Sequence, residues 1–392
     1  MSNPRELYFD LCMNSLFASL SEKPIFKAFE GYCCAGDERD KRIKAYSAFV
    51  NEIYKSGTSL TDLVCRLVFE DENVYVKARA AGAKIAPEIS AALDHELSVL
   101  ERFAALTPRD FAEELMLDYV SPFVSEKISL APLYEERMAG INKYGYGIFS
   151  SYPMFRLGDD KEILPIVSAD KTTLDKFVGY DDERARVLEN TEAFLAGKPA
   201  ANALLSGDAG TGKSSTVKAV ANRYFGEGLR LIELRKDQLS YLPYVMGKIS
   251  ENPLKFIIFI DDLSFNKNDD NFSMLKAALE GSASAKADNA VIYATSNRRH
   301  IVKETFSGRD GDDVHRNDTM QEMLSLSERF GLVVHFSRPD KTLYLKIVFE
   351  LAERCGVKMD KEELAIKAEA FALRRGIRSA RCAEQFIESL VR

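Results

Sequence analysis

An eight-residue motif between an apolar stretch and a helical stretch constrains the fold of this chain more than any other feature. Residues Gly207-Asp-Ala-Gly-Thr-Gly-Lys-Ser214 match the pattern G-x-x-x-x-G-K-[ST] without a mismatch. The motif follows the apolar run Ala203–Leu205 and precedes residues that predict a helix to about Phe225. Glycines let the backbone curl so that successive amides face one point, and the helix adds the positive end of its dipole. The motif therefore predicts a phosphate-binding loop, with a glycine-rich surface turn as the alternative.

Two side chains of this motif could contact phosphate groups and a metal ion. The ammonium group of Lys213 would contact the β- and γ-phosphates of a nucleotide, and the hydroxyl group of Ser214 would bind Mg²⁺. We therefore predict ATP and Mg²⁺ as the ligands. The residues predicted to contact them are Gly207, Asp208, Ala209, Gly210, Thr211, Gly212, Lys213, Ser214 and Ser215.

Two aspartates end another strongly apolar stretch. Phe256–Ile260 is apolar throughout and stops at Asp261 and Asp262. Ligands of open α/β sheets bind beyond the carboxyl ends of the strands, which is where the phosphate-binding loop also lies. Asp261 is predicted to hold Mg²⁺ and Asp262 to orient the attacking water. Without the loop, such a pair would equally suit the start of a surface loop or a helix cap.

The alternation of apolar strands and helices predicts a parallel sheet that is covered on both faces. Three helices at about 340–354, 361–373 and 379–391 then predict a small separate bundle. The predicted organisation is a mostly helical N-terminal domain with a partner-binding role, a connector with a short strand or two, an α/β domain and a helical lid. In the same order, their residues are 1–150, 151–173, 174–337 and 338–392.

Composition narrows the class of protein. Apolar residues make up 46% and charged residues 29%, which is typical of a globular chain. The net charge of −7 argues against a general nucleic-acid-binding surface, which is usually basic. The six cysteines have no zinc-site spacing; the neighbours Cys33 and Cys34 could be redox-active or bind a soft metal, but buried or inert thiols are the commoner case. No stretch has the length and apolar content of a membrane span or a signal peptide, so we expect a cytoplasmic protein.

From about Leu174 to the C terminus, the motifs and their order resemble those of the AAA+ ATPases. The resemblance implies a five-stranded parallel sheet of strand order 5-1-4-3-2 with a C-terminal helical lid. It also implies Mg²⁺-dependent ATP hydrolysis by an oligomer. Ile260–Phe265 and Tyr293–His300 resemble a narrower, uncharacterised group of bacterial AAA-type proteins that share the double aspartate.

The resemblance extends to residues on either side of the nucleotide. Gly179 and Tyr180, in Phe177-Val-Gly-Tyr180, resemble the segment that packs near adenine. Asn297, in Ala294-Thr-Ser-Asn297, resembles sensor 1, whose amide would hold the attacking water or the γ-phosphate. A turn cap would be the ordinary role of such an asparagine.

Three arginines are candidates by the same resemblance. Arg329, in Leu326–Gly331, resembles an arginine finger that reaches the ATP of a neighbouring subunit. Arg381 resembles sensor 2, with Arg378 as the alternative. The ordinary role of Arg329 would be a surface ion pair, and the ordinary setting of Arg378 and Arg381 would be a solvated helix face.

One departure from the AAA+ pattern leaves two functional classes open. The family usually has Asp-Glu where this chain has Asp261-Asp262, and a carboxylate that is one methylene shorter predicts slow turnover. The first interpretation is an oligomeric ATPase that remodels a protein or nucleic-acid partner. The second is an ATP-gated binding module or scaffold that hydrolyses ATP slowly or not at all. A DNA-associated loader is a third interpretation, which the acidic composition does not support.

Overall fold

Two units make up the chain, Met1–Ser151 and Tyr152–Arg392, and each has its own hydrophobic core. The computed structural model describes residues 3–36, 38–168, 172–263, 274–276, 279, 287–297 and 329–391. Within these residues, no helix combines the length and the apolar content that crossing a bilayer requires. The partner-binding role of the first unit stays a prediction.

Helices account for the regular structure described in the first unit. They are α1 (Pro4–Cys12), α2 (Pro24–Cys33), α3 (Arg39–Lys55), α4 (Leu60–Glu70), α5 (Val74–Ala80), α6 (Pro87–Ala104), α7 (Pro108–Leu115), α8 (Leu130–Ala139) and α9 (Ile141–Tyr144). Pro87 and Pro108 take the first position of their helices, where the missing amide costs nothing. The sequence predicts that α7 runs to Val120, but it ends at Leu115. Met116 adopts a φ of 51°, a left-handed conformation through which a helix does not continue.

Aromatic packing and one carboxylate hold the core of the first unit together. The rings that pack with centroids 4.8–6.3 Å apart include Phe29, Phe49, Phe103 and Phe111. Glu96 of α6 is 3% exposed and accepts hydrogen bonds of 2.8–3.1 Å from the amides of residues 15–17. A buried carboxylate is stable here because three donors replace its water.

The second unit is an α/β fold around a seven-stranded, mostly parallel sheet. The strands are β1 (Met154–Leu157), β2 (Ile163–Pro165), β3 (Ala203–Gly207), β4 (Leu229–Leu234), β5 (Lys255–Ile260), β6 (Ala290–Ser296) and β7 (Leu332–Phe336). Their order across the sheet is β2-β1-β4-β5-β6-β3-β7, and β1 with β2 is the antiparallel pair. Strands β3 to β6 are apolar and buried almost throughout, as a sheet covered on both faces requires, whereas the edge strand β7 is only partly buried.

The predicted number of five strands is wrong, because the connector adds two strands to the sheet. β1 and β2 lie in the segment expected to hold a short strand or two. β1 pairs in parallel with β4, with Phe155 opposite Ile232, and extends the sheet at that edge. The five strands β3 to β7 lie in the order β7-β3-β6-β5-β4, which is 5-1-4-3-2 when they are numbered along the chain.

Helices cover the sheet and form a bundle at the C terminus. In the described residues after 152 they are α10 (Asp181–Leu195), α11 (Lys213–Arg223), α12 (Leu242–Ile249), α13 (Lys341–Arg354), α14 (Lys361–Arg375) and α15 (Ala380–Val391). One core joins α10 and α11 to the sheet face that carries Leu205 and Val334. The last three helices share a separate core around Tyr344 and Phe386. α14 is two residues longer than predicted and ends where Gly376 adopts a φ of 70°.

Candidate functional site

The loop between β3 and α11 has a backbone that only glycine adopts easily. Gly207, Gly210 and Gly212 have φ angles of 132°, 77° and 90°. A Cβ atom at Gly207 would overlap the carbonyl group of Phe336 on the neighbouring strand β7. The glycines of the motif are thus required by the turn itself and by its close approach to β7.

Backbone amides of this loop are available to a ligand. In the described part of the chain, the amides of Ala209, Gly210 and Gly212 donate no hydrogen bond. The loop is held from inside, because the buried hydroxyl group of Thr211 donates to the carbonyl oxygen of Asp208 at 2.9 Å. Unpaired amides ahead of a helix N terminus form a concave site for an anion.

Lys213 places a buried ammonium group beside these amides. Its side chain is 4% exposed, and Nζ donates to the carbonyl oxygens of Gly207 and Asp208 at 3.1 and 2.6 Å and to Oδ1 of Asn297 at 3.1 Å. Burial lowers the pKa of Lys213, and the nearby aspartates oppose this only in part. The ammonium group therefore has neutral acceptors in place of water, and an anion would stabilise its charge.

Ser214 and Asp261 bring two oxygen ligands together. The Ser214 hydroxyl donates to Oδ1 of Asp261 at 2.6 Å, and the next residue, Ser215, is half-buried in the first turn of α11. Hydroxyl and carboxylate oxygens suit Mg²⁺, which also takes phosphate oxygens and water. Among the described residues, no group of three or more His, Cys, Asp or Glu side chains could hold a metal ion.

Asp262 and Asn297 complete the polar network. Asp262 has a φ of 51°, and its carboxylate accepts a hydrogen bond of 2.7 Å from the Asn297 side-chain amide. The same Asn297 side chain accepts from Lys213, so one amide group connects the loop lysine to the second aspartate. Lys213, Ser214, Asp261, Asp262 and Asn297 therefore lie at one place, although 84 positions separate Lys213 from Asn297.

Sequence reasoning gave no role to Thr295, which also belongs to this network. Its hydroxyl group lies 2.6 Å from Oδ1 of Asp261 and 3.0 Å from the amide nitrogen of Asp262. Side chains two positions apart on a strand point to the same face, so Thr295 and Asn297 project together from the end of β6. That alternation is the signal by which the sequence could have indicated Thr295.

Gly179 and Tyr180 lie beside the loop, where β7 leads to α13. Tyr180 donates from its hydroxyl group to the Ser337 carbonyl at 2.7 Å and packs on Phe336, with ring centroids 5.4 Å apart. Burial raises the pKa of this phenol to about 12. A Cβ atom at Gly179 would overlap the side chain of Leu343. This segment therefore lies between the glycine-rich loop and the C-terminal bundle.

Arg378 and Arg381 differ in their relation to the loop. Nε and Nη2 of Arg378 donate to the two carboxylate oxygens of Glu369, at 3.0 and 2.7 Å, and this ion pair raises the pKa of the arginine. Arg381 is exposed, and its amide donates to the Gly210 carbonyl at 3.3 Å. A Cβ atom added to Gly210 would lie 3.3 Å from the Cβ of Arg381. Arg381 thus contacts the loop, whereas Arg378 is bound within the bundle.

Arg329 is not part of this group of residues. It precedes β7, whose residue Leu332 pairs with Ala203, while Phe336 pairs with Gly207 at the loop. Gly331 lies against Ala201, before β3 begins. The strand length alone, about 13 Å for four steps, separates the start of β7 from the loop. Leu326 to Glu328, the first part of the predicted finger segment, lie outside the described residues.

One known protein family matches the whole of the second unit. The family described as "Protein of unknown function (DUF815)" matches residues 150–392, which is more than half of the chain. The chain belongs to this family. No curated protein matches the sequence.

Solved structures that match this chain include those of a branch migration motor. The Holliday junction branch migration motor RuvB of Thermotoga maritima is 12% identical over 56% of this chain and 72% of that chain, with a TM-score of 0.34. A point variant of the same protein is 14% identical over the same shares, with a TM-score of 0.35. Similarity at this level supports no statement about the activity of this chain.

Burial of the Lys213 ammonium group leads to a prediction about stability. We expect Lys213→Met to raise the free energy of unfolding of the nucleotide-free protein by about 1 kcal/mol, since an apolar side chain of similar length avoids the cost of burying a charge. The pKa of Lys213 is lowered in the folded state, so the folded protein releases this proton at a lower pH than the unfolded chain does. The stability of the wild type should therefore rise relative to that of the variant as the pH approaches 10.5, the ordinary value for lysine. Urea unfolding at several pH values measures both effects.

Lys218 supplies the matched control for this measurement. It lies on the same helix, is half-buried and forms an ion pair of 3.4 Å with Glu233. Lys218→Met should therefore bring no gain in stability. A Lys213→Met protein that unfolds more easily than the Lys218→Met protein would contradict the prediction.

Proposed function

We propose that this chain is a cytoplasmic Mg²⁺-dependent ATPase of the AAA+ kind that acts as a homo-oligomer on a protein or nucleic-acid partner. The observation that carries the proposal is the buried Lys213 ammonium group beside the amides of Ala209, Gly210 and Gly212. Charge and donors converge there on a space that suits the phosphates of a nucleotide. The helical first unit is our candidate for the region that binds the partner.

The proposed reaction is a single displacement at the γ-phosphorus. A water oxygen forms a bond to phosphorus while the bond to the β–γ bridging oxygen breaks, which yields ADP, inorganic phosphate and a proton. Lys213 would bind the β- and γ-phosphates, Asn297 would help to orient the water, and Asp262 would orient it and accept its proton. Ser214 and Asp261 would hold Mg²⁺. The metal would neutralise charge that develops on the phosphate oxygens.

Residues beside the loop would bind the rest of the nucleotide. Gly179 and Tyr180, between the loop and α13, are our candidates for the adenine side. Arg381 is preferred over Arg378 as sensor 2, because its backbone contacts Gly210 while the guanidinium of Arg378 is bound to Glu369. A residue that contacts the loop directly can respond to the γ-phosphate, whereas an arginine bound elsewhere must first break its ion pair.

The position of Arg329 supports a role in trans. It precedes the start of β7, on the side of the sheet where the parallel strands begin, whereas the loop lies where they end. An arginine finger must touch the transferring phosphoryl group. In an oligomer that presents this edge to the loop of the next subunit, Arg329 would complete the neighbour's site and make hydrolysis depend on assembly.

Asp262 is the observation that favours a second candidate function, an ATP-gated binding module. Its short carboxylate accepts a hydrogen bond of 2.7 Å from the Asn297 amide, which draws it toward Asn297. A carboxylate held away from the water would leave ATP bound without rapid hydrolysis. Nucleotide binding would then act as a switch for partner affinity.

Isothermal titration calorimetry with ATP and Mg²⁺ tests the shared basis of both candidates. We expect the wild type to bind, and Lys213→Met to lose affinity by about 100-fold or more, because it removes the charge that opposes the phosphates. Lys218→Met should bind like the wild type, since Lys218 is paired with Glu233 on the side of α11 that faces β4. Folded wild-type protein that gives no binding heat would refute the proposal.

Turnover of Asp262 variants separates the ATPase from the binding module. For an ATPase we expect Asp262→Asn to lower kcat by about 100-fold or more with little change in ATP affinity, because an amide cannot accept the proton of the water. Asp262→Glu should stay within about tenfold of the wild type. Equal, negligible turnover in the wild type and Asp262→Asn, together with ATP-dependent binding of a partner, would favour the module.

Mixing two inactive variants tests the role of Arg329. Arg329→Ala should bind ATP but lose about 10³-fold or more in kcat, and Lys213→Met should not bind ATP. A mixture should regain activity, because a Lys213→Met subunit still offers its Arg329 to a neighbour. The control mixes Arg329→Ala with the double variant Lys213→Met/Arg329→Ala, which offers no finger. Normal turnover by monomeric Arg329→Ala would exclude the trans role.

A further inference from the structure

Thr295 holds three consecutive residues of the turn that follows β5. Its carbonyl oxygen accepts a hydrogen bond of 2.7 Å from the amide of Leu263. Its hydroxyl group accepts one of 3.0 Å from the amide of Asp262 and donates one of 2.6 Å to Oδ1 of Asp261. The side chain is 1% exposed, so water does not compete for these bonds.

The directions of these bonds are fixed by chemistry. A backbone amide can only donate, so the hydroxyl oxygen must accept from Asp262 and its one proton must point at Asp261. Oδ1 of Asp261 also accepts from the Ser214 hydroxyl at 2.6 Å. Only a hydroxyl side chain can serve as acceptor and donor in this way, and valine, which has the same shape, can do neither.

The turn needs such support because Asp262 has an uncommon backbone. Its φ of 51° is left-handed, which costs a residue other than glycine about 1–2 kcal/mol. This conformation decides where the short carboxylate of Asp262 lies. An error of about 1 Å in a reacting group can cost about 100-fold in rate.

We propose that Thr295 is the positioning residue that sets both aspartates of the site and so lets an aspartate act at the position of Asp262. The inference rests on the proposed function, since it assigns a task within the same reaction. Thr295 would act through Asp261 on the metal and through Asp262 on the water, without touching either.

The test compares Thr295→Val with a conservative and a distant variant. We expect Thr295→Val to lower kcat by about 10- to 100-fold while KM for ATP changes less than about threefold. Thr295→Ser keeps the hydroxyl group and should stay within about fivefold of the wild type. Thr191→Val is the matched control, because Thr191 is fully buried and also forms two hydrogen bonds, to Val187 and Tyr293, but takes no part in the site.

A double-variant comparison separates positioning from a general structural effect. If Thr295 acts through Asp262, adding Thr295→Val to Asp262→Asn should lower kcat by less than about threefold. An equal loss in both backgrounds, or a kcat of Thr295→Val that matches the wild type, would overturn the proposal. Should Thr295→Val not fold, Thr295→Ala takes its place under the same criteria.

If the protein binds ATP but does not hydrolyse it, the proposal is tested by measuring the affinity for ATP with and without Mg²⁺. Because Thr295 also holds Asp261, Thr295→Val should reduce the gain in affinity that Mg²⁺ brings by about two- to threefold, and an unchanged gain would overturn the proposal in that case. Wild-type protein that binds no nucleotide would instead refute the proposed function itself, which calorimetry shows before any variant is compared.

Discussion

The buried ammonium group of Lys213 is the interaction on which the rest of the site depends. A charge that leaves water costs free energy unless other groups replace the lost solvation. Here the replacement is incomplete: burial lowers the pKa of Lys213 despite three neutral acceptors and nearby aspartates. Lys213 therefore costs stability, and in the proposed ATPase a ligand that supplies negative charge at this place would offset that cost. Glycines at 207, 210 and 212 would serve the same ligand, because their backbone leaves amides of the loop without a partner.

Parallel pairing brings residues that are distant in sequence together at the carboxyl ends of the strands and keeps Arg329 toward the opposite ends. β3, β5 and β6 all end at the edge where Lys213, Asp261 and Asn297 meet. β7 also ends there, but Arg329 precedes this strand and so lies toward the other edge. In the proposed oligomer, the strand order would separate the residues that act within one subunit from Arg329, which would act on the site of a neighbour. In the proposed ATPase, dependence on assembly would follow from topology and would need no further regulatory element.

How much the sequence could predict depends on how local each signal is. The loop and the two aspartates follow directly from buried strands, so the motif and the apolar pattern located them. The strands β1 and β2 have four and three residues, and their place beside β4 depends on pairing that no local pattern encodes. The choice between Arg378 and Arg381 stayed open in the sequence, because it depends on the ion pair with Glu369 and on the contact with Gly210. Thr295 was within reach, since strand alternation places it beside Asn297.

Asn297 connects Lys213, the residue proposed to bind phosphate, with Asp262, the residue proposed to act on water. Its carbonyl oxygen accepts from Lys213 while its amide nitrogen donates to Asp262, so both ends of one planar group are occupied. In the proposed ATPase, a triphosphate that draws Lys213 to its own oxygens would remove one of these two bonds. The group would then turn more freely, and Asp262 would be released toward water. The side chain of Asp262 is one methylene shorter than that of a glutamate, so its carboxylate can reach fewer positions from a fixed backbone. Its reach is set by the backbone at φ 51° and by the neighbours that hold that backbone, and the rate of hydrolysis would therefore depend on the turn as much as on the carboxylate.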